Sequence, residues 1–491
     1  MSFSPVTLVL GLYCLILLGI GLLGRRSTGS VAGYYVADKR LPSWVIAFSN
    51  NATGESAWLL LGLTGMGYAV GIHALWVVLG EVLGVTLGWT LVASRFKEYT
   101  DRYGAITVPD YLEARFRDTK HVFQLMGLVI IVSMVAAYTA AQFTAMGKAF
   151  GSFAGTSYGA GVLIGAAIIL FYTTVGGFQA VAYSDVLQGV LMFLALLVLP
   201  IVGFSAAGGW SATFETLQRV DPALLRPMGT AGLSLSGVLG ALGFVAVGFA
   251  FLGAPQLLVR WISARDRGEI VQGSLIAVIC IIVFDLGAVF AGIAGRALFP
   301  GLPDQETILP TMAAELFPSV FTGIFLVVVL AASMSTVDSL LILASSSVAR
   351  DVVQKIWRPD ISDKTVALIG KGVTAVIGAV AVWFALEEVR LIFWFVLFAW
   401  SGLASAFTPV VLCSLFWKRT TRAGAIAGMA AGFLTAVIWT VAFKERFFDL
   451  YEMIPGFAAG FGATVLVSLL TRPPEGAGAE LESVARAVEE S

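Results

Sequence analysis

The sequence predicts an all-α integral membrane protein with about 13 transmembrane helices. Apolar types make up 58% of its 491 residues and charged types only 12%, against about 45–50% and about 25% in soluble domains. Mean hydropathy is +0.90, and the apolar runs approach the roughly 20 residues that a spanning helix needs. Barrel strands would be shorter and would alternate in polarity. These features exclude a soluble enzyme, a nucleic-acid-binding protein and a disordered scaffold.

The counts of charged and ligand-forming residues exclude further classes. The net charge is −1, so no polyanionic partner such as nucleic acid is expected. Two histidines and three widely separated cysteines give neither a metal-site spacing nor a disulfide framework. A membrane subunit that carries several haems or copper would need more ligands. We therefore expect no enzymatic activity.

Thirteen apolar runs are the predicted spans, beginning with a retained helix rather than a signal peptide. They cover residues 5–24, 44–71, 73–94, 124–149, 158–175, 180–207, 231–259, 269–297, 316–349, 366–386, 390–417, 424–442 and 453–471. The connection 95–123 carries a basic cluster and a predicted short interfacial helix at Pro109 to Leu112.

The distribution of Lys and Arg predicts the orientation. With the N-terminus outside, 23 of the 30 basic residues, including Arg25, Arg26 and Arg260, lie in inner segments. The seven in outer segments are Lys148, Arg219, Arg226, Arg296, Arg390, Lys444 and Arg446. We predict a multi-pass protein of the inner (plasma) membrane, with an outside N-terminus and a cytoplasmic C-terminus.

Five acidic residues lie within the predicted spans, namely Glu55, Glu81, Asp185, Asp285 and Asp338. Ionisable residues at membrane depth are costly and are functional candidates. No Lys or Arg is predicted mid-span beside them, so they must be protonated, line water or bind cations. The alternatives are hydrogen bonds to a neighbouring helix and, for Asp185 in a first turn, an interaction with the helix dipole.

The second and seventh spans are predicted to be interrupted. Residues 49–58 gather polar and small types within an apolar helix, and Gly and Asn are poor helix formers. Residues 248–255 contain two glycines followed by a proline. Carbonyl groups freed in this way are hard oxygen ligands for an alkali cation. The alternative for the first stretch is a kink that packs small residues closely.

The two interruptions are five spans apart, which predicts two five-helix halves. An odd number of spans per half gives the halves opposite orientations, and broken helices at matching positions of inverted repeats indicate a midplane substrate site. The predicted divisions are an N-terminal extra helix and inner loop (1–43), a first repeat (44–207), a second, inverted repeat (208–417), two C-terminal helices (418–471) and a cytoplasmic polar tail (472–491).

The ninth span carries a polar stripe. Ser335 and Ser339 are four residues apart, and Thr336 and Ser339 are three apart, so they adjoin on the helix surface together with Asp338. Hydroxyl groups in membrane helices often bond only to the carbonyl four residues back. Such back-bonding explains one or two hydroxyl groups in a span, but it does not explain several polar residues together with an acid.

Three stretches resemble the sodium:solute symporter family, and the likeness runs from about residue 5 to residue 471. They are Thr173 to Phe178 with Ala182 to Asp185, Ala331 to Thr336, and Lys418 to Gly428. Within the family the chain looks most like bacterial sodium/proline symporters, on Arg40-Leu41, Ser56 to Leu60 and Ala399 to Leu412. The resemblance implies the leucine-transporter type of 5+5 inverted repeat, with sodium as the coupling ion.

The resemblance also implies the site residues. Sodium would be held by the backbone carbonyls of Ala52, Glu55 and Ala332 and the hydroxyls of Ser335 and Thr336. Asp185, Asp338 and Ser339 would belong to a second cation site or path. The solute would be contacted by Gly54, Ser56, Ala57, Tyr138 and Phe251.

The chain departs from proline symporters within this expected pocket. Their aspartate two residues before the position of Ser56 is Gly54 here, and Glu55 is displaced by one residue, about 100° of helix rotation. A tryptophan and a tyrosine of the seventh span align with Val247 and Phe251.

Together, the residues and the resemblance predict sodium-coupled import of a small organic solute by alternating access. Proline or a similar amino acid is the expected solute, and the expected partners are that solute, sodium and the lipid bilayer. The alternative within the class is another solute, such as a monocarboxylate or a vitamin acid. The alternatives outside it are a channel and a membrane subunit of a sensor.

Overall fold

The structure is a computed structural model that describes residues 5–24, 29–387 and 392–490. Every regular element in these ranges is helical, and a single parallel bridge joins Leu41 to Ala264. The prediction of an all-α protein is therefore confirmed. Three of the basic residues used to predict the orientation lie outside the described residues, namely Arg25, Arg26 and Arg390.

Twenty α-helices make up the described chain. The first ten are α1 (Pro5–Gly24), α2 (Val31–Val36), α3 (Ser43–Ala57), α4 (Thr64–Val70), α5 (Leu75–Leu87), α6 (Ala93–Arg102), α7 (Val108–Phe116), α8 (Val122–Ala154), α9 (Tyr158–Ala206) and α10 (Trp210–Val220). The others are α11 (Leu235–Ala246), α12 (Pro255–Ser263), α13 (Arg267–Leu298), α14 (Ile308–Leu316), α15 (Ser319–Ser346), α16 (Asp363–Leu386), α17 (Ile392–Phe416), α18 (Arg422–Ile438), α19 (Met453–Leu470) and α20 (Ala477–Glu489).

The number of spans agrees with the sequence prediction. In the described ranges, 11 helical stretches are long and apolar enough to cross a membrane, and one of them covers residues 43–102. The chain reverses within that stretch at Gly71, whose φ is +59°. Tyr158–Phe171 is a further, shorter apolar helix. When residues 43–102 are counted as two spans and Tyr158–Phe171 is added, the 11 stretches become 13 spans, which is the predicted number.

Both predicted interruptions are present. Near the end of α3, Ser56 leaves the helical conformation with a φ of +47°, and a π-helical segment, Trp58–Leu63, follows it. The seventh span passes from α11 into a 3₁₀ segment, Val247–Leu252, before α12 begins at Pro255. Since proline has no N–H to donate, it is well placed in the first turn of α12. The boundaries of the two repeats stay a prediction.

The polar residues of α3 hold this helix at the centre of the bundle. The Asn51 Nδ2 atom donates to the Ala277 carbonyl of α13 at 2.7 Å, and Asn50 Nδ2 donates to the Leu257 carbonyl of α12 at 3.1 Å. Both asparagines are buried. Their amides therefore satisfy backbone groups of neighbouring helices, as buried polar groups must.

The predicted polar tail, residues 472–491, contains a helix that packs on the rest of the protein. The amphipathic helix α20 lies against α6, where Tyr103 contacts the Glu480 carboxylate and Arg102 Nη1 donates to Ser483 Oγ at 2.6 Å. Val484 faces inward and is buried. The sequence predicted the polar composition of this segment but not its helix.

Candidate ion and solute site

A cluster of oxygen atoms joins α15 to α3 just before the break. The Ser335 hydroxyl lies 2.9 Å from the Ala52 carbonyl oxygen and 3.0 Å from that of Ala332. The Thr336 hydroxyl lies 3.1 Å from the Thr53 carbonyl oxygen. All of these residues are buried. We call these oxygens, from Ala52, Thr53, Ala332, Ser335 and Thr336, the oxygen cradle.

The break explains why the Thr53 carbonyl is free to face α15. In a continuous helix, the carbonyl of Thr53 would accept from the N–H group of Ala57. Ser56 is out of helical conformation, and the Ala57 N–H donates to Gln142 Oε1 at 3.1 Å. The Thr53 carbonyl is thereby released and accepts from the Thr336 hydroxyl of α15.

The cradle differs from the predicted set by one member. The Glu55 carbonyl accepts from the Trp58 N–H, and the Thr53 carbonyl is the one that faces Thr336. The sequence suggested a break near Glu55, but it did not show at which residue the break falls. That position decides which carbonyls are released.

The Ser56 hydroxyl, one of the predicted solute contacts, collects several hydrogen bonds at the break. It accepts from Tyr138 Oη at 3.4 Å, from Gln142 Nε2 at 3.3 Å and from the Trp58 N–H at 3.1 Å. Tyr138, predicted to contact the solute, therefore lies beside the break. Gln142 was missed, although it lies one helical turn beyond Tyr138 on α8.

A narrow pocket opens beside this cluster. Its lining includes the predicted residues Gly54 and Tyr138, together with Trp58, Glu81, Val247, Val396, Leu397 and Trp400. Ser56 and Ala57 lie behind that wall, and Phe251 packs against Trp400 with ring centroids 5.4 Å apart. Among the lining residues, Glu81 was a candidate only as a membrane acid. Its place in the pocket was not predicted.

The structure requires a glycine at residue 54. A Cβ atom there would lie 2.8 Å from Phe251 Cε1. We expect Gly54→Ala to reduce solute uptake at least tenfold and to destabilise the protein by about 1–3 kcal/mol, as overpacking does. Phe251→Leu in the same chain should recover part of both losses. Uptake in proteoliposomes and thermal unfolding of the purified protein measure the two effects.

Gly372→Ala in α16 is the matched control, since a Cβ there would meet no atom within 4 Å. If Gly54→Ala showed the same uptake and the same thermal unfolding as Gly372→Ala, the contact with Phe251 would not constrain the pocket.

The predicted second cation site contains an arginine. Arg260 of α12 is buried, and its Nη2 atom lies 3.1 Å from Asp185 Oδ2 and 2.7 Å from Thr53 Oγ1. The same nitrogen contacts the Ser339 hydroxyl, and Ser49 Oγ donates to Asp185 Oδ2 at 2.6 Å. The expectation that no basic side chain accompanies the membrane acids is therefore wrong for Asp185. The predicted seventh span ended at residue 259, one residue too early to include Arg260.

Asp338 lies in the same region without a basic contact of its own. One of its carboxylate oxygens accepts from the Ser339 N–H at 2.8 Å, and the other has no hydrogen-bond partner. Ser339 Oγ is 3.1 Å from Thr53 Oγ1. The structure thus brings Asp185, Asp338 and Ser339 together below the cradle, around Arg260.

The remaining three acids form a separate group. One carboxylate oxygen from each of Glu55, Glu81 and Asp285 lies within 4.8 Å of the other two. All three residues are buried. The sequence marked each of them as costly but did not show that they meet.

These observations define a class of protein. Two helices are broken inside an apolar bundle, an oxygen cradle lies at one break, and a narrow pocket adjoins it. This arrangement is typical of secondary transporters, in which discontinuous helices build the ion and substrate sites.

Comparison with known proteins gives the family. The family model described as "Sodium:solute symporter family" matches residues 34–432. The high-affinity proline transporter PutP of Bacillus subtilis (strain 168) is 36% identical over 461 residues, covering 93% of this chain and 96% of the relative. The osmoregulated proline transporter OpuE of the same organism is 32% identical and covers 98% and 97%. A sodium/proline symporter of Staphylococcus aureus is 34% identical and covers 95% and 93%. The chain belongs to the sodium:solute symporter family.

Solved structures show the same fold. A Na⁺-coupled sialic acid symporter in a substrate-bound, outward-open state aligns with a TM-score of 0.82 at 19% identity, covering 96% of this chain and 99% of that one. A nucleobase-cation-symport-1 family transporter aligns with a TM-score of 0.56 at 12% identity, covering 93% and 99%. The predicted leucine-transporter type of fold is confirmed. Family membership also makes the protein a multi-pass transporter rather than an enzyme, with sodium as its coupling ion.

Proposed function

We propose that the protein imports proline or a closely similar amino acid together with sodium. One observation carries this proposal: α3 supplies the carbonyls of Ala52 and Thr53 to the oxygen cradle, and the next residue, Gly54, lines the pocket. An ion that orders this stretch of α3 therefore also orders the solute site. By linkage, ion and solute must then raise each other's affinity by the same factor.

The cradle would hold sodium through hard oxygen atoms. Its hydroxyls come from Ser335 and Thr336, and its carbonyls from Ala52, Thr53 and Ala332. An inward-negative membrane potential contributes about 2.3 kcal/mol per charge per 100 mV to import. Asp185, Asp338 and Ser339 would form a cation path below the cradle, where Arg260 balances the charge of Asp185 in this conformation.

The polar and aromatic groups of the pocket suit a zwitterion. Ser56, held by Tyr138 and Gln142, would receive the carboxylate of the solute at the break. Glu81 lines the pocket with the aromatic residues Trp58 and Trp400. The aromatic faces favour a cationic amino group, which argues against a simple monocarboxylate or a vitamin acid. The curated relatives named above are proline transporters, which supports proline as the first choice.

Sodium-gradient-driven uptake of labelled proline in proteoliposomes tests this function. We expect concentrative uptake that needs inward sodium and that saturates with proline. A competition panel of amino acids, monocarboxylates and vitamin acids ranks the other solutes. Failure of excess proline to inhibit uptake of the panel's best solute would remove proline, and flux that never concentrates any solute would indicate a channel.

The orientation is also part of the proposal. The excess of inner Lys and Arg supports an outside N-terminus and a cytoplasmic C-terminus in the inner (plasma) membrane. This places α20 and its contacts with α6 on the cytoplasmic side.

A further inference from the structure

Three carboxylates from three different helices meet beside the solute pocket. Glu55 lies at the end of α3, Glu81 in the middle of α5 and Asp285 in the middle of α13. We call them the carboxylate triad. One oxygen from each lies within 4.8 Å of the others, and each residue is at most 2% exposed.

No described residue outside the triad donates a hydrogen bond to five of its six carboxylate oxygens. Both carboxylate oxygens of Glu55, both of Asp285 and the Oε2 atom of Glu81 are buried without a hydrogen-bond partner. Within the described ranges, every ion pair involves some other acid. Leaving a buried polar group unpaired is costly, and a buried charge still more so.

Several other buried acids of the same bundle have a cationic partner. Arg260 lies 3.1 Å from Asp185. Lys148 Nζ lies 2.6 Å from Glu306, and Lys444 Nζ lies 2.8 Å from Glu452. Asp338 and Asp351 are buried without an ion pair, but within the described ranges the triad is where three such acids meet.

The triad adjoins the solute pocket. Glu81 lines that pocket together with Gly54 and Tyr138, and one carboxylate oxygen each of Glu55 and Asp285 lies within 4.8 Å of a Glu81 oxygen. The backbone of α5 is fixed there by close packing, since a Cβ on Gly248 would lie 1.8 Å from the Gly80 carbonyl oxygen. The pocket and the triad therefore share the Glu81 side chain.

We propose that Glu55, Glu81 and Asp285 form a further cation site, separate from the oxygen cradle and from the group around Arg260, that binds a hard metal cation beside the solute pocket. Carboxylate oxygens are the ligands that such cations prefer. The transport cycle supplies sodium, and a divalent ion such as calcium has the same ligand chemistry. The inference rests on sodium coupling but not on the identity of the solute.

Equilibrium binding of radioactive sodium and of radioactive calcium to the purified full-length protein, without solute, tests the site. We expect Asp285→Asn, which keeps the side-chain shape, to lose one bound cation per chain relative to the wild type. Glu81→Gln should lose the same bound cation. This second variant is used instead if the purified Asp285→Asn protein is not monodisperse. Ser335→Ala should instead weaken the affinity of a different sodium ion about tenfold, so combining it with Asp285→Asn should remove one equivalent and weaken the binding of another.

Asp351→Asn is the matched control. Asp351 is also buried and also has one unpaired carboxylate oxygen, but it lies outside the triad. A missing sodium equivalent in the triad variants identifies a sodium-binding site at the triad, and a missing calcium equivalent with sodium unchanged identifies a site for a divalent ion. Wild-type binding of both cations by Asp285→Asn and Glu81→Gln, or an equal loss in Asp351→Asn, would overturn the proposal. Neither result depends on which solute is carried.

Discussion

Ser335→Ala and Thr336→Ala should each raise the sodium concentration for half-maximal uptake by about tenfold. Each change removes one hydroxyl oxygen from the cradle without altering the backbone carbonyls. A hydrogen bond or ligand contact to a charged partner contributes about 1.5–3 kcal/mol, and 1.4 kcal/mol is tenfold in affinity. Uptake of labelled solute over a range of sodium concentrations measures the shift.

The chain offers close controls for this experiment. Ser333 is on the same helix and is equally buried, but its hydroxyl bonds to the Val329 carbonyl four residues back. Ser333→Ala should therefore leave the sodium dependence unchanged, and Thr336→Ser should keep most of the affinity. A solute-independent readout is the rise in thermal midpoint that sodium causes by binding the folded state. If both alanine variants kept the wild-type sodium dependence, the cradle would not be the sodium site.

Much of the fold could be predicted because membrane burial imposes strong rules on sequence. A lipid-exposed backbone must form helices, so long apolar runs identified the spans. Polar and helix-breaking residues identified both interruptions. The helical spacing placed Ser335 and Thr336 in one polar stripe with Ser339, and the family resemblance implied their contacts with α3.

The parts that were missed depend on contacts distant in sequence. Thr53 replaced Glu55 in the cradle because the break falls at Ser56, which the composition of α3 did not specify. Gln142 joined the site because α8 crosses the break. Arg260 was missed because it follows an apolar run and resembles an ordinary basic residue at the end of a span.

The carboxylate triad shows the same limit more strongly. Each acid could be recognised as expensive in its own helix, and nothing in local sequence relates α3, α5 and α13. Only the packing of the bundle brings Glu55, Glu81 and Asp285 within reach of one ion. The free-energy cost of burying an acid in the membrane therefore identifies candidate functional residues from sequence. Only the three-dimensional structure shows whether these acids form pairs, form clusters or stay isolated.

Arg260→Met should destabilise the folded protein by about 3–5 kcal/mol. The change leaves the Asp185 carboxylate buried without its partner, and breaking a buried ion pair from one side has a cost of that size. Thr53 and Ser339 lose a donor at the same time. Thermal unfolding of the detergent-purified protein, with the monodisperse fraction after purification, measures the loss.

The double variant Arg260→Met with Asp185→Asn should recover most of the lost stability, because the charge of Asp185 is removed together with its partner. Arg219→Met is the control, since Arg219 is exposed and bonds only within its own helix. We expect the double variant to bind sodium at the unchanged cradle but to transport slowly, because the path below it has lost both charges. A single variant that unfolds like the wild type would show that Arg260 and Asp185 are not mutually dependent. If the double variant instead transported at the wild-type rate, Asp185 would serve only to balance the arginine, and the cation path would have to run elsewhere.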